Sequence, residues 1–215
     1  MDAQAASNNE PIPQARERAM PRDKDATRQR ILDAAEEVFA EKGYHRAVVE
    51  DIIHVARTSK GGFYFHFPSK QGVFLALMDA LAPRLMAAVD RAIEQEATAA
   101  GKVDAALRTV FEQFARHRRL SKILLVEAMG LGHGFDEKIV EIRGQFAGMI
   151  QRYLDLAVAE GVIAPLDTDV AAYAWFGAIN EVVIRWLVTP DPAPLEAAFP
   201  TLRALLLRSI GMNPD

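Results

Sequence analysis

Apolar residues recur at three- and four-residue intervals along most of this chain, the spacing that places side chains on one face of an α-helix. Ile31, Ala35 and Phe39 follow it, and so does the series from Val73 to Ile93. No segment alternates apolar and polar side chains as a half-buried strand does. The pattern therefore predicts an all-α fold of about nine helices.

One short segment, Phe63-Tyr64-Phe65-His66-Phe67, departs from this pattern. Aromatic residues favour strands, but helical patterns flank the segment, two glycines precede it and Pro68 ends it. Two short helices joined by a tight turn form a helix-turn-helix, and residues 49–56 and 60–67 have suitable lengths. We predict this motif, with Arg57-Thr58-Ser59 as the turn.

The aromatic residues of the predicted second helix divide between two roles. Phe63 and Phe67 lie one helical turn apart, so both are predicted to pack in the core. Tyr64 and His66 point in other directions and are predicted to lie on the surface. Tertiary packing then overrides the strand propensity of the segment.

The start of this helix has the features of an anion site. Ser59 is predicted as its N-cap, bonding the free amide of Gly61 or Gly62. Because the two glycines lack side chains, they allow a close approach to a groove floor or a phosphate. Free amides beside the Lys60 cation favour an anionic partner.

Two linked patterns now carry a family resemblance. The first is Ala34-Ala35-x-x-x-Phe39-x-x-x-Gly43-Tyr44. The second runs from Ile52 to Lys70, and its matching positions are Ser59, Gly61, Tyr64, His66, Phe67 and Lys70. Together they resemble the DNA-binding signature of the TetR family of transcriptional repressors. The resemblance implies an N-terminal three-helix helix-turn-helix domain followed by a helical bundle for ligand binding and dimerisation.

Carried over to matching positions, the resemblance implies a set of DNA contacts. Lys60, Gly61 and Gly62 would meet base edges, and Tyr64 and His66 would meet phosphates, since phosphate contacts set register and base contacts carry the code. The full predicted set, drawn from the recognition helix, its turn and nearby helix ends, is Thr27, Arg46, Arg57, Thr58, Ser59, Lys60, Gly61, Gly62, Tyr64, His66 and Lys70.

Two of these positions have open alternatives, and one departs from the family pattern. Tyr64 could be a partly buried core aromatic, and Lys70 could be an ordinary solvated lysine. Arg57-Thr58 stands where the family pattern has Gly-Val, so Arg57 must accept the backbone geometry of the turn, with some strain. It also adds a cation beside the DNA.

The C-terminal helices predict a dimer. Residues 168–188 are apolar nearly all round a helix, which requires burial on more than one side. The last helix, about residues 195–210, is also leucine-rich, and in the resembled family these two helices form a four-helix dimer interface. The predicted interface residues are Trp175, Ile179, Trp186, Leu202, Leu205 and Leu206. The alternative is a seam inside one chain.

The resemblance also implies an effector cavity among the middle helices. Its predicted lining consists mainly of aromatic and long apolar side chains: Phe111, Phe114, Leu124, Phe146, Met149, Tyr173, Phe176 and Asn180. Such residues at helical spacing also occur in ordinary cores. Asn180, Glu181 and Arg185 interrupt an apolar helix, either as a network within the dimer or as the polar end of the cavity.

A further similarity concerns the effector. The stretch 123–129, together with residues up to Trp186, is similar to the branch of the family that responds to fatty acyl-CoA, although no diagnostic motif marks it. In that case an apolar tunnel would take the acyl chain. Basic residues could then meet the CoA phosphates, or could simply be solvated: Arg116, His117, Arg118, Arg119 and Lys122.

Composition excludes other classes of function. The chain has no cysteine, which removes thiolate chemistry and fits a reducing cytoplasm. Its histidines are not spaced as metal ligands, and no serine lies in a nucleophile-elbow motif. No catalytic activity, metal or cofactor is therefore expected. The longest apolar run, residues 170–179, is about half the length of a membrane span, so no membrane partner is expected.

The predicted organisation has three parts. Residues 1–23 form a disordered arm, either solvated or contacting phosphates; residues 24–70 form the DNA-binding domain, and residues 71–215 form the ligand-binding and dimerisation domain. The predicted function is a ligand-responsive repressor that binds a palindromic operator as a homodimer and is released by a hydrophobic inducer. The alternatives are a regulator without a ligand and, less well supported, an all-α enzyme.

Overall fold

A computed structural model describes residues 21–128 and 131–214. These residues form nine α-helices and no strand, as predicted. The helices are α1 Pro21–Arg46, α2 Val49–Val55, α3 Lys60–His66, α4 Lys70–Glu94, α5 Ala99–Arg116, α6 Arg118–Lys122, α7 His133–Ala159, α8 Thr168–Val188 and α9 Phe199–Ser209. Residues 1–20 of the predicted arm lie outside the described residues, and residues 21–23 belong to the first turn of α1.

The ends of the helices agree with the residues that were predicted to cap them. Gly43, predicted to stop the first helix, interrupts α1 with φ 77° and ψ 162°, a backbone conformation that suits glycine. Ser59, Ser69 and Asp167 each accept a hydrogen bond from a backbone amide in the first turn of the following helix. The predicted N-cap Ser59 is therefore confirmed, and Ser69 and Asp167 cap α4 and α8 in the same way.

Two connections differ from the sequence prediction. A helix was expected over about residues 121–129, but α6 is followed by a π-helical turn, Ile123–Glu127. The last helix was expected from about residue 195, but a 3-10 turn, Leu195–Ala198, precedes α9. Helical spacing in sequence cannot separate these tighter and wider turns from an α-helix, because the apolar residues recur at nearly the same interval.

The first hydrophobic core joins the three-helix head (α1–α3) to the rest of the chain. Phe39, Phe63 and Phe74 are fully buried in it, and Phe135 at the start of α7 packs against Phe74 with ring centroids 5.6 Å apart. This core crosses the predicted domain boundary at residue 70. A change in the bundle therefore has a packed route to the head.

The second core lies among α5, α7, α8 and α9. α4 packs along α5, and α7 packs along α8. Within the described residues, α4 is the one helix long and apolar enough to cross a membrane, judged by length and composition alone. Part of its apolar surface packs in the first core through Val73 and Phe74, and part lines a cavity, which accounts for its hydropathy.

Candidate nucleic-acid interface and effector cavity

The recognition helix α3 has one buried side and one exposed side. Phe63 and Phe67 are buried, as predicted from their spacing. Tyr64 is 45% exposed and Phe65 is 64% exposed, so both present aromatic rings to the surface. The alternative of Tyr64 as a core residue does not describe this structure. An aromatic surface backed by a rigid core can contact a flat or grooved partner.

The N-terminus of α3 is built by its turn residues. Ser59 Oγ accepts a hydrogen bond from the amide of Gly62 at 3.0 Å. A Cβ at Gly62 would lie 2.6 Å from Thr58 Oγ1, so a larger residue there would force the Thr58 side chain to move. A Cβ at Gly61 would meet nothing closer than Ser59 Oγ at 3.9 Å. The surface at Gly61 is therefore open to a partner.

Charge near this end of α3 is mainly positive. Lys60 is well exposed, and its Nζ lies 3.8 Å from Glu50 Oε1, a loose pair that a stronger anion can displace. Arg57 is exposed and has φ 49°, the strained left-handed conformation expected where a glycine is usual. The turn therefore holds Arg57 beside Lys60 at the cost of backbone strain.

Residues of α1 extend the same surface: Lys24, a candidate phosphate contact at the end of the N-terminal arm, and Arg28, which sequence reasoning missed. Lys24 Nζ lies 5.3 Å from the centre of the Phe65 ring. The guanidinium of Arg28 lies 5.3 Å from the centre of the Phe67 ring. Both are cation–π contacts. The signal available in the sequence was their four-residue spacing, which places both cations on one face of α1. Phe65 was also missed, because the sequence analysis assigned it neither to the core nor to the surface.

The remaining predicted phosphate contacts lie at helix ends. Thr27 Oγ1 accepts a hydrogen bond from Arg30 at 3.1 Å, and Arg46 Nε donates to the carbonyl of Lys42 at 2.9 Å. His66 is half-buried, with its ring next to that of Phe65. Arg46 and His66 keep part of their surface accessible, so the geometry allows a phosphate contact at both.

Lys70 has a role that neither sequence alternative anticipated. Its ammonium donates to the carbonyls of Tyr44 at 2.8 Å and Ala47 at 3.0 Å, with His45 at 3.5 Å, and it lies 4.4 Å from the centre of the Tyr44 ring. Burial lowers the pKa of this ammonium below its usual value. All three of its donors are directed at the C-terminus of α1. This geometry argues against the predicted phosphate contact of Lys70.

The start of α2 is fixed by one carboxylate. Asp51 accepts hydrogen bonds from Lys42 Nζ at 2.7 Å and from the amide of Val48 at 3.1 Å. The hydrogen bond from Lys42 is the main reason that the pKa of Asp51 lies below its usual value. The bond from Lys42 joins α1 to α2, and the bond from Val48 caps the start of α2.

A cavity of about 600 Å³ lies in the bundle formed by α4–α9. Six of the eight predicted ligand-binding residues line it: Phe114, Leu124, Phe146, Met149, Phe176 and Asn180. Two predictions were wrong. Phe111 is buried in the second core, and Tyr173 lies on the outer face of α8, 51% exposed. Spacing along a helix cannot separate cavity, core and outer surface when all three are apolar.

Most of the cavity wall is apolar, with polar groups at defined places. Asn180 lines it, whereas Glu181 and Arg185 are exposed, which separates the three polar residues that the sequence grouped together. Tyr153 also lines it, and its hydroxyl donates to Asp90 Oδ1 at 2.8 Å. Burial raises the pKa of Tyr153. A ligand here would be largely apolar with few polar contacts.

The predicted dimer residues mostly lie inside the chain. Trp175, Leu202 and Leu206 are buried in the second core, where Trp175 Nε1 donates to Ser209 Oγ at 2.9 Å. Ile179 lines the cavity. Burial within the chain leaves Trp175, Leu202 and Leu206 almost no surface for a second copy, whereas Ile179 is half-buried and its assignment stays a prediction. A helix that is apolar all round does not reveal which side faces its own chain.

Two predicted interface residues have other surroundings. Trp186 is half-buried; its Nε1 donates to the carbonyl of Ala193 at 3.1 Å, and the Arg118 guanidinium lies 4.8 Å from its ring centre. Leu205 is 60% exposed on α9. Other exposed residues with small or apolar side chains lie on α8: Val170, Tyr173, Ala174, Gly177 and Val188.

The charged side chains of the described residues form no cluster suited to a metal ion. Several of their carboxylates form ion pairs between helices, such as Asp79 with Lys138 at 2.8 Å and Asp90 with Arg152 at 2.9 Å. The geometry therefore offers two kinds of site, an aromatic and basic surface on α3 and an apolar cavity beneath it.

The comparisons with known proteins find matches in both the head and the bundle. A family model described as "Bacterial regulatory proteins, tetR family" matches residues 31–77, which include α2 and α3. A second, described as "Tetracyclin repressor-like, C-terminal domain", matches residues 96–188, from the end of α4 to the end of α8.

Curated relatives are similar over most of their length. The HTH-type transcriptional regulator TtgR of Pseudomonas putida is 31% identical over 183 residues, covering 79% of this chain and 84% of the relative. The fatty acid metabolism regulator protein of Bacillus subtilis is 27% identical over 181 residues, covering 84% of this chain and 93% of the relative.

Solved structures show the same architecture. The transcriptional regulator FadR from Bacillus subtilis, crystallised in complex with stearoyl-CoA, has a TM-score of 0.74 and 27% identity, covering 83% of this chain and 96% of that one. FadR from Bacillus halodurans has a TM-score of 0.76 and 24% identity. The match covers 92% of this chain and 100% of that one, which shows a shared fold.

Proposed function

Because this chain belongs to the TetR family of bacterial transcriptional regulators and is not an enzyme, we propose that it reads its operator with α3 and releases it when an apolar effector fills the cavity. The observation that carries the proposal is the arrangement of α3. Its exposed aromatic and basic side sits on a core that continues, through Phe74 and Phe135, into the bundle that holds the cavity.

The residues of α3 divide between base and phosphate contacts. Lys60 and Gly61, at the open N-terminus, would meet base edges, where a lysine prefers guanine. Tyr64, joined by Arg46, would meet phosphates, which fixes the register. Phe65 would lie against thymine methyl groups, the apolar feature of the major groove.

Two substitutions on α3 should affect DNA binding differently. Tyr64→Ala should weaken binding to all sequences similarly, because a lost phosphate contact carries no base information. Lys60→Ala should change the preferred sequence, costing about 1–3 kcal/mol at the base it contacts. Operators would be selected from a random duplex library with each variant and measured by fluorescence anisotropy. Unchanged affinity and sequence preference in both variants would contradict the assignment.

The regulator would act as a homodimer on a palindrome. A single helix-turn-helix reads few base pairs, and two heads related by a two-fold axis place half-sites about 34–36 Å apart or more. The exposed apolar face of α8 and Leu205 on α9 supply the surface for a second copy. Access to an operator also requires that the protein work in the cytoplasm.

The effector would be a molecule with a long apolar part, and we propose a fatty acyl-CoA. The cavity has the volume of a small-molecule site and is lined largely by apolar side chains. The Bacillus subtilis relative with the same architecture was crystallised with stearoyl-CoA. A constitutive regulator without a ligand would have little use for such a cavity.

Stearoyl-CoA is expected to raise the melting temperature of the protein and to weaken its complex with a selected operator. A ligand that binds only the folded state stabilises it by about 2.7 kcal/mol at one hundred times its dissociation constant. The release of DNA should correspond to a coupling free energy of about 1–3 kcal/mol. Free CoA, which lacks the acyl chain, is the matched control. If stearoyl-CoA left both quantities unchanged, this effector assignment would be wrong.

A further inference from the structure

A turn after α9 directs Met212 back toward the bundle. The amide of Gly211 donates to the carbonyl of Arg208 at 3.1 Å, and the amide of Met212 donates to the carbonyl of Leu207 at 3.0 Å. This pair of hydrogen bonds forms a Schellman motif, which ends a helix at a residue in the left-handed conformation. Gly211 occupies that position with φ 78°. The motif therefore fixes the direction that the chain takes after α9.

The segment after this turn is anchored a second time. Arg203 on α9 pairs with Asp104 on α5 and also donates to the carbonyl of Pro214, two residues beyond Met212. The Arg203 side chain is 19% exposed, so these bonds are largely shielded from water. Met212 is thus held between two fixed points, the turn at Gly211 and the bond at Pro214.

The register of α9 on α5 places this segment at the end of the bundle remote from the three-helix head. The guanidinium of Arg108 lies 4.2 Å from the ring centre of Phe199, and Arg203 pairs with Asp104. The partner moves back along α5 as the chain advances along α9, so residues 210–212 lie beside the first turn of α5. That turn is separated from the head by the 25 residues of α4, roughly 37 Å at about 1.5 Å per residue.

Met212 forms part of the cavity wall at this end. It lines the cavity together with Ile210 and with Ala99 at the start of α5. Met212 is half-buried and packs against the second core, and its unbranched thioether side chain can fit an irregular apolar surface. Both family models end before α9, so neither describes this wall.

We propose that Met212 closes the end of the effector cavity remote from the head and limits the length of the apolar chain that the cavity accepts. This inference rests on the proposed acyl-chain effector and adds the residue that sets its length. Each buried methylene strengthens binding about fourfold, whereas a methylene that meets the wall must displace it or stay in water. Affinity should therefore rise with chain length until the chain reaches Met212, and fall beyond that length.

The test varies residue 212 and the length of the ligand together. Met212→Ala removes the side chain beyond Cβ, roughly the space of two methylene groups, and Met212→Trp adds bulk at the same place. Asn213→Ala is the matched control, because Asn213 is exposed and does not line the cavity. The ligands are saturated acyl-CoAs from decanoyl-CoA to eicosanoyl-CoA. Titration calorimetry gives the dissociation constants, and the melting temperature without ligand shows whether each variant is folded.

Met212→Ala should move the best-bound chain about two carbons longer and improve binding of that longer acyl-CoA about tenfold or more, from about fourfold for each added methylene. Met212→Trp should move the optimum to a shorter chain, and this variant decides the question if Met212→Ala does not fold. Asn213→Ala should keep the optimum of the wild type.

The role of Met212 would be overturned by the same optimum in every variant or by an equal shift in Asn213→Ala. An affinity that keeps rising through the whole series in the wild type would also overturn it, because the cavity would then have no closed end. Failure of the wild type to bind any acyl-CoA would overturn the effector assignment itself, which distinguishes that failure from the loss of the length limit alone.

Discussion

Replacing Phe63 with alanine is expected to lower the free energy of unfolding by about 3–5 kcal/mol, the cost of removing a buried phenylalanine ring. Phe63 has no exposed surface, and it packs between the recognition helix and the first core, next to Phe67 at 6.1 Å between ring centroids. Small domains are stable by only about 5–15 kcal/mol, so the head would lose much of its stability. Urea unfolding followed by circular dichroism measures this loss.

Phe65→Ala is the matched control, because it makes the same change two residues away on the same helix. Phe65 is 64% exposed, so its truncation should change stability by about 0.5 kcal/mol or less. The same variant should bind a thymine-containing operator more weakly if the ring lies against DNA. Equal losses of stability in both variants would mean that α3 does not have the buried and exposed sides described above.

Lys70→Met is expected to destabilise the fold by about 1.5–3 kcal/mol, because a charged donor that caps backbone carbonyls is lost. Methionine keeps most of the apolar stem but leaves the carbonyls of Tyr44 and Ala47 without the ammonium. It also removes the cation from the Tyr44 ring. Lys60→Met, on an exposed side chain, should change stability by about 0.5 kcal/mol or less.

The salt dependence of DNA binding separates the two roles of Lys70. A phosphate contact contributes about one unit to the slope of log affinity against log salt concentration. As a cap on α1, Lys70 should leave this slope unchanged when it is replaced, provided that binding is measured where the variant is folded. A slope reduced by about one with full stability would restore the phosphate contact predicted from the sequence.

Much of the head could be predicted because its sequence signals are local. Ser59 caps α3 through an amide three residues away, and Gly43 ends the helical part of α1 through its own backbone conformation. Phe63 and Phe67 are buried because one helical turn separates them. Each of these outcomes depends on residues within one or two turns, and propensity and spacing report such interactions directly.

The bundle was harder to predict because its apolar helices have several apolar neighbours. Trp175 and Leu206 were assigned to a dimer and lie in the chain's own core, while Tyr173 was assigned to the cavity and lies on the outer face. Periodicity states that a helix has apolar faces. It does not state whether a given face meets another helix, a cavity or a second copy of the chain.

The amino-acid sequence by itself determined the all-α class and the helix-turn-helix, because these follow from short-range spacing and local hydrogen bonds, and two linked motifs carried the resemblance to the family. Tertiary structure alone decided where Lys70 directs its ammonium, since the Tyr44 and Ala47 carbonyls lie 26 and 23 residues away in the chain. It also decided that an acidic face of α1 stands opposite Arg116 and Arg119. Such contacts arise only when distant segments pack together, and no local pattern encodes them.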